Sequence, residues 1–488
     1  MKIYYLNNDF DYELDKLTSV FFPNKKLDAV KVNDRNELAL DDTDSEYIVI
    51  DLTDELNISV SVHFEDYTDR KTKIITEDDD AQLEAALLLY DLLSSYTKIV
   101  PPWGVLTGVR PIKLFRKLKE QMGEEKACEH FKKVFLVSDE KVSLTLETEK
   151  NEAAVLSKTT PDSFSLYLSV PFCPSRCSYC SFVSASTERT AKLVEPYTQL
   201  LCKEIEKTAE LAAKLGLHLE SVYMGGGTPT TLSADQLKRV LGKTAECFDM
   251  RGCREFTVEA GRPDTITAEK LAAIKSANVD RISINPQTLN DSVLKAMGRR
   301  HSAEDFYRAF ELARKCGFDH INTDLIAGLP SDTEDSFRAT IDNIIALSPE
   351  SITVHTLAMK RASDLSQNGK QLYADEAAAA AAMLSYADER LHFFEYYPYY
   401  LYRQSRMVGN LENTGWSKKG REGYYNVFIM DESQSIIACG AGAVTKIALP
   451  TGKLERIFNY KYPYEYIDRF EEVLKRKESI LRIYDQSR

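Results

Sequence analysis

The chain has 488 residues, 43% hydrophobic and 28% charged, which is ordinary globular usage and excludes a disordered, collagen-like or disulfide-dense chain. Asp and Glu number 75 against 62 Lys and Arg, and the net charge of −13 argues against non-specific coating of nucleic acid or anionic membrane. Met1–Asp15 scatter acids and polar groups, unlike a signal peptide, and the best apolar run, Ala85–Tyr90, is stopped by Asp91, far short of the ~20 residues of a membrane span. A cytoplasmic protein of about three domains is expected.

Up to about Lys158 the pattern is that of a separate α/β region. Ile58, Val60, Val62 and Phe64 alternate with polar residues, the period-2 pattern of a half-buried strand, with Tyr47–Asp51 as its neighbour. Asp78–Asp80 put negative charge where a helix begins, and Leu83–Leu93 fill its buried face. Pro101-Pro102-Trp103-Gly104 breaks that helix. Thr107-Gly108-Val109-Arg110-Pro111 turns into the next one, with Arg110 read as turn and packing. No chemistry is legible in residues 1–158.

From Ser163 the rhythm changes. Strand-type runs at Ser165–Val170, Leu219–Met224, Glu255–Glu259, Arg281–Pro286, His320–Ala327 and Ser351–Leu357 alternate with helical runs at Glu195–Leu215, Ala234–Cys247, Ala268–Ser276, Ala303–Cys316 and Glu334–Leu347. The alternation predicts a parallel sheet or partial barrel over 163–360, with its ligand site at the C-terminal strand ends. A third region, 361–488, carries the helix former Ala377–Ala382 and an aromatic run over His392–Tyr402 that covers either a core or a flat ligand. It also holds the small-residue turn Cys439-Gly440-Ala441-Gly442-Ala443, which permits close backbone approach.

Nine cysteines are too few for a disulfide scaffold, and Cys128, Cys202, Cys247, Cys253, Cys316 and Cys439 each read as a small buried hydrophobe. Cys173, Cys177 and Cys180 are different: packed within eight positions, they read as metal binding or redox chemistry. Structural zinc wants four ligands and a thioredoxin-like motif two cysteines. Three thiolates at C-x3-C-x2-C after a first strand suit an iron–sulfur cubane with one iron open, able to chelate the amino and carboxylate groups of a small molecule.

The later strand ends carry further candidates. The second closes in Tyr223-Met224-Gly225-Gly226-Gly227-Thr228-Pro229-Thr230, where glycines bare backbone groups. Glu259 ends the third and suits ribose hydroxyls, with a helix cap as the rival reading; Gln287 closes the fourth, and Arg299 and Asp324 follow. An Asp in an apolar strand is costly unless paired or bound to ligand, so Asp324 and Arg299 read as partners in a ligand role, with a purely structural ion pair as the rival reading. Asp280 and Arg281 read as an ordinary surface pair.

The cysteine triplet after a first barrel strand resembles the radical S-adenosylmethionine superfamily. With the glycine run, Glu259, Gln287, Arg299 and Asp324 in order, residues from about Ser165 to Ala358 resemble its oxygen-independent coproporphyrinogen III oxidase branch. The run Trp103–Pro111 is similar to the HemZ-type members. The resemblance implies an α/β chain: a partial (β/α)6 TIM-like radical SAM barrel, an N-terminal α/β domain of unknown role, and a C-terminal, mainly helical domain with a small sheet covering the substrate side.

It further implies that Cys173, Cys177 and Cys180 ligate a 4Fe–4S cluster. Tyr167, Tyr179, Gly226 and Glu259 would contact the S-adenosylmethionine that is cleaved, Tyr167 and Glu259 as the catalytic residues. Gly227, Thr228, Gln287, Arg299, Asp324 and Ala358 match positions for a second S-adenosylmethionine. The implied reaction converts coproporphyrinogen III to protoporphyrinogen IX, with a reducing donor such as flavodoxin or ferredoxin and no nucleic-acid partner.

Two departures bear on this. Phe182 stands where the oxidases carry a further cysteine, as in the haem-chaperone branch. Gly423-Tyr424-Tyr425-Asn426-Val427-Phe428 replaces the chaperones' His-Asn-x-x-Tyr-Trp stretch and contains no histidine. Three readings therefore stand: a radical decarboxylase, a haem-binding transfer protein, and another radical enzyme acting on a tetrapyrrole.

Overall fold

The structure, a computed structural model, describes residues 1–33, 46–54, 56–182, 184–359 and 374–487. It contains two compact units. One comprises Met1–Leu146, Gly369–Ala381 and Arg403–Glu412, the other Glu147–Asn368, Ala382–Tyr402 and Asn413–Arg488. The domain boundary expected between 360 and 361 lies outside the described residues.

In the first unit, β1 (Lys2–Leu6), β2 (Asp28–Val32), β3 (Tyr47–Asp54), β4 (Asn57–Phe64) and β5 (Tyr67–Ile74) form a sheet in the order β2-β1-β3-β4-β5. The expected alternation in β4 is real: Ile58, Val60 and Val62 are fully buried and pack with α1 (Asp11–Phe21) and α2 (Ala81–Thr97) in one core. Asp80 caps α2, its carboxylate accepting from the Leu83 N–H at 3.1 Å. α2 ends at Thr97, ahead of the prolines, because Lys98 takes a left-handed conformation and closes the helix. α3 (Pro111–Met122), with Arg110 at its N-cap, α4 (Glu124–Lys133) and α5 (Asp139–Leu156) follow.

Trp103, at the head of the Trp103–Pro111 run, is a buried anchor rather than a helix stop. The Trp103 indole N–H donates to Glu412 at 2.7 Å, Lys141 Nζ lies 2.8 Å from the other carboxylate oxygen, and the Arg403 guanidinium sits 5.1 Å over the indole ring. Gly104 is required there: a Cβ would lie 2.0 Å from the Phe135 carbonyl oxygen. Trp103→Phe keeps the ring but strips Glu412 of a donor, and is expected to lower stability in chemical denaturation by about 1–3 kcal/mol. An unchanged midpoint would show that water replaces the indole N–H.

In the second unit, β6 (Ser163–Val170), β7 (Phe172–Cys173), β8 (Ala185–Ser186), β9 (His218–Gly226), β10 (Glu255–Gly261), β11 (Arg281–Ile284), β12 (Ile321–Ala327) and β13 (Ser351–Thr356) are threaded with helices α6 (Thr187–Leu215), α7 (Ala234–Cys247), α8 (Ala268–Ser276), α9 (Asp291–Ala296), α10 (Ala303–Lys315) and α11 (Glu334–Ala346). Strands β6, β9, β10, β11, β12 and β13 are parallel neighbours in that order, a partial (β/α)6 barrel.

β14 (Tyr397–Tyr402), β15 (Asn413–Ser417), β16 (Ser435–Cys439), β17 (Val444–Ala448) and β18 (Leu454–Phe458) do not form the small separate sheet expected of the C-terminal region. They extend the barrel sheet at both edges into an 11-stranded one, β15 against β13 and β16 against β6. An open parallel sheet has two edges of unpaired backbone groups, and these strands satisfy them. In the aromatic run, Tyr396, Tyr399 and Tyr400 are buried core, whereas Phe393 and Phe394 are exposed.

Arg281 corrects the surface-pair reading. It opens β11 in the middle of the sheet and is 1% exposed. Its guanidinium donates to Ser351 Oγ at 2.9 Å and Tyr399 Oη at 3.3 Å and lies 3.7 Å from Glu255, while Asp280 turns away to accept the Phe256 N–H. A central strand buries both faces, so a charge on it must find its partners inside.

Candidate active site

β6 runs out at Val170, and the chain loops from β7 to β8 carrying Cys173, Cys177 and Cys180, all free thiols. Backbone bonds pin this loop: the Cys180 N–H to Cys177 O at 3.0 Å, and the Ser178 N–H to Met297 O at 3.1 Å. Arg262, directly after β10 and 4% exposed, makes two bonds to Asp264 (2.9 and 2.8 Å) and reaches Ser175 Oγ at 2.9 Å and Cys177 Sγ at 3.8 Å. The Thr228 hydroxyl donates to Cys173 Sγ at 3.5 Å.

Burial pushes the Cys173 thiol up and the Cys180 thiol to about 11, so both stay protonated at neutral pH until metal displaces the protons. Among the described residues no group of three His, Cys, Asp or Glu side chains is arranged to hold a metal ion, so the thiols are not a preformed single-ion site. The donor set nevertheless fits an iron–sulfur cluster: three soft thiol ligands on one loop, with Gly227 laying bare backbone against them. A Cβ on Gly227 would lie 2.5 Å from Phe172 O and 3.0 Å from Cys173 Sγ.

Glu259 and Tyr223 form the second element. In register, Tyr167 of β6 lies opposite Tyr223 of β9, and Thr257 of β10 opposite the same tyrosine, so Glu259 two residues on shares its face. Tyr223 Oη donates to Glu259 Oε1 at 2.6 Å. Burial, with Asp324 nearby, raises the Glu259 carboxyl to about 7 against the opposing Tyr223 hydrogen bond. Tyr425, from the helix Tyr424–Asp431, stacks on Tyr223 with ring centroids 4.5 Å apart and on Tyr167 at 6.0 Å. Gly226 is held at φ +108°, where a side chain would be strained.

The third element lies at β11 to β13. Gln287, at φ +71°, bridges to β12: its N–H donates to Asp324 O at 3.0 Å and its carbonyl accepts from the Ile326 N–H at 2.9 Å. Asp324 accepts from Asn322 Nδ2 at 2.8 Å and sits 3.8 Å from His355 Nε2. Burial pushes its carboxyl up, but His355 and Asn322 outweigh that and hold it below its ordinary value. Ala358 follows β13, where the Leu357 N–H donates to Ala327 O at 3.0 Å.

Arg299 and Asp324 do not make the direct ion pair that was the rival to a ligand role. Arg299 donates to Tyr179 Oη at 2.9 Å and Asn285 O at 2.6 Å, while the Asp324 N–H donates to Asn285 Oδ1 at 3.2 Å. Asn285 meets the Arg299 guanidinium and the Asp324 backbone, while the Asp324 carboxylate takes Asn322 and His355 as its partners. The structure thus brings Cys173, Gly227 and Thr228 together, Tyr167 with Glu259, Tyr179 with Arg299, and Gln287 with Asp324. Tyr223, Tyr425, Arg262 and His355 were missed. Strand parity with Tyr167 and Glu259 marks Tyr223, but nothing local marks the other three.

Comparison with known proteins agrees with this architecture. The Radical SAM superfamily model matches residues 167–344. The chain is 40% identical over 386 residues, 78% of its length and 77% of the relative's, to the oxygen-independent coproporphyrinogen-III oxidase-like protein HemZ of Bacillus subtilis (strain 168). It is 36% identical over 198 residues, 40% of its length and 51% of the relative's, to the heme chaperone HemW of the same organism. Among solved structures, coproporphyrinogen III oxidase (HemN) from Escherichia coli, a radical SAM enzyme, superposes with a TM-score of 0.50 at 21% identity, over 67% of this chain and 73% of that one. A radical SAM domain implies a 4Fe–4S cluster and S-adenosylmethionine, and the thiols and glycine cradle described above fit them. With this barrel, this cysteine loop and these relatives, the chain belongs to the radical SAM superfamily, within its family of HemZ-type, oxygen-independent coproporphyrinogen-III oxidase-like proteins.

Proposed function

We propose that the chain carries out the oxygen-independent oxidative decarboxylation of coproporphyrinogen III to protoporphyrinogen IX. The observation that carries the reading is the Glu259–Tyr223 pair, on β10 and on the strand β9 that ends in the glycine run and neighbours the strand leading into the cysteine loop, in a chain alike to the oxidase-like protein over most of its length. When bound, the cluster supplies the electron that cleaves S-adenosylmethionine to a 5′-deoxyadenosyl radical. Cys173, Cys177 and Cys180 hold the cluster. Glu259 accepts from the ribose hydroxyls, kept in place by the Tyr223 phenol, and the faces of Tyr167 and Tyr425 wall off water that would quench a radical. The net change at each of two propionates is loss of a hydrogen atom, CO2 and one electron, leaving a vinyl group.

Tyr179 serves this molecule with Tyr167, Gly226 and Glu259, and Gln287, Arg299, Asp324, Gly227, Thr228 and Ala358 hold a second S-adenosylmethionine. Asp324→Asn preserves the hydrogen-bonding shape and removes the charge facing His355. It is expected to leave the cluster and the cleavage of S-adenosylmethionine intact while the number of molecules bound at equilibrium falls from two per chain to one and porphyrinogen turnover is lost. A wild-type stoichiometry of one refutes the second molecule.

The likeness to heme chaperones and the exposed Phe182 favour a second reading, a haem carrier. Anaerobic incubation of the reconstituted protein with S-adenosylmethionine, reductant and coproporphyrinogen III separates the two. Vinyl-bearing product supports the decarboxylase, and tight haem binding without turnover supports the carrier.

A further inference from the structure

We propose that Arg262 tunes the cluster held by the cysteine loop: its guanidinium, donating to the Cys177 sulfur, raises the cluster's reduction potential. The inference rests on the triplet holding a cluster and is independent of which tetrapyrrole is acted on.

The local backbone aims this side chain. The register of β10 against β11 shifts between Glu259 and Gly261, and Gly261 takes φ +55°, so the strand is re-aimed directly after Glu259. Arg262 then heads the short turn Pro263–Thr265, where the Thr265 hydroxyl donates to the Arg262 carbonyl at 2.8 Å. That turn brings Asp264 back onto the guanidinium, its carboxylate accepting from Nε at 2.9 Å and from Nη2 at 2.8 Å. The fork is planar, so this grip on two nitrogens turns the third, Nη1, to the cysteine loop. There it donates to Ser175 Oγ at 2.9 Å and to Cys177 Sγ at 3.8 Å.

The pair is thus an oriented dipole. The Arg262 side chain is 5% exposed and carries the cationic end to the sulfur, while the Asp264 side chain is 21% exposed and partly wetted. A neutral thiol is a weak acceptor, whereas a ligand thiolate makes the bond charge-assisted. Reduction adds one electron from a low-potential one-electron donor; no covalent bond forms or breaks, and the added negative charge is shared with the ligand sulfurs. The Arg262 bond therefore strengthens on reduction and favours the reduced cluster, as hydrogen bonds to cluster sulfurs do.

The test is an anaerobic redox titration of the reconstituted full-length protein with titanium(III) citrate, without S-adenosylmethionine, reading the reduced cluster by electron paramagnetic resonance. Asp264→Asn keeps the shape and leaves the Arg262 charge unopposed. At a fixed solution potential its ratio of reduced to oxidised cluster is expected to rise about tenfold, or about 59 mV for a one-electron couple. Arg262→Gln/Asp264→Asn removes both charges without stranding a buried carboxylate. Its ratio is expected to fall about tenfold below wild type, with iron content and far-UV dichroism unchanged. A clamp that only holds the loop would change iron content in both variants without opposite shifts in potential. Potentials equal to wild type, or shifted in one common direction, overturn the proposal and leave the triplet's cluster standing. If the double variant loses its iron, Asp264→Asn decides alone, and an unchanged or lowered potential there overturns the proposal. A wild type that takes up no cluster overturns both.

Discussion

Cys177→Ala is expected to yield a colourless protein where the anaerobically isolated wild type is brown and carries about four iron and four sulfide per chain. Cys177 is the most buried of the three thiols and the one its surroundings hold hardest, with the Arg262 guanidinium 3.8 Å from its sulfur and the Cys180 N–H on its carbonyl. Alanine keeps that loop backbone and removes only the ligand. Two thiols do not retain a cubane, so iron, sulfide and visible absorbance should all disappear while the far-UV dichroism stays. Full iron content in the variant would remove Cys177 from the ligand set and with it the reading of the triplet.

Glu259→Gln is expected to move stability and ligand binding in opposite directions. Burial raises this carboxyl from its ordinary value to about 7, so between about pH 4.5 and 7 the native state binds more protons than the unfolded chain. Stability contributed by the protonated form is therefore present at low pH and lost as pH rises through about 7. Above that, the charged buried carboxylate costs the ligand-free protein about 3 kcal/mol. Glutamine is never charged and still accepts from Tyr223, so at pH 8 the variant should be the more stable by about that amount, and near pH 4.5 the two should coincide. S-adenosylmethionine affinity should fall by about tenfold, the worth of a charge-assisted hydrogen bond. Denaturation midpoints across this pH range and equilibrium binding check both halves. A variant less stable than wild type at pH 8, with binding intact, would make Glu259 a structural cap.

The two expectations differ in how far they were visible beforehand. The triplet needs only its own spacing, because three thiols on one short loop must lie near one another. The surroundings of Glu259 come from afar: Tyr223, whose hydrogen bond opposes the rise, is 36 positions away, and Tyr425, stacked on Tyr223, is 166 away. Parity along β9 and β10 offers the first of these to a careful reader, whereas Tyr425 sits on a helix with no local mark of its destination. Arg299 and Asp324 show the converse error. Chemical complementarity suggested a pair, and the fold gave each a nearer partner.

Local periodicity and spacing encode much of the barrel. The six parallel strands and their helices lie where alternation places them, α7 and α8 over the expected residues; Gly226, Gly227, Thr228, Gln287 and Ala358 fall at C-terminal strand ends, while Tyr167, Glu259 and Asp324 lie within strands and Arg299 follows α9. These follow from side-chain patterning within ten or twenty residues, where the backbone's few allowed conformations leave little choice. Long-range packing alone selects which distant residues share a wall: Arg281 with Glu255 and Tyr399, Trp103 with Glu412 309 positions on, and the C-terminal strands on both edges of the barrel sheet. The physical reason is that a buried charge, an indole N–H or an open sheet edge specifies that a partner is needed but not where along the chain it comes from, and only packing selects it.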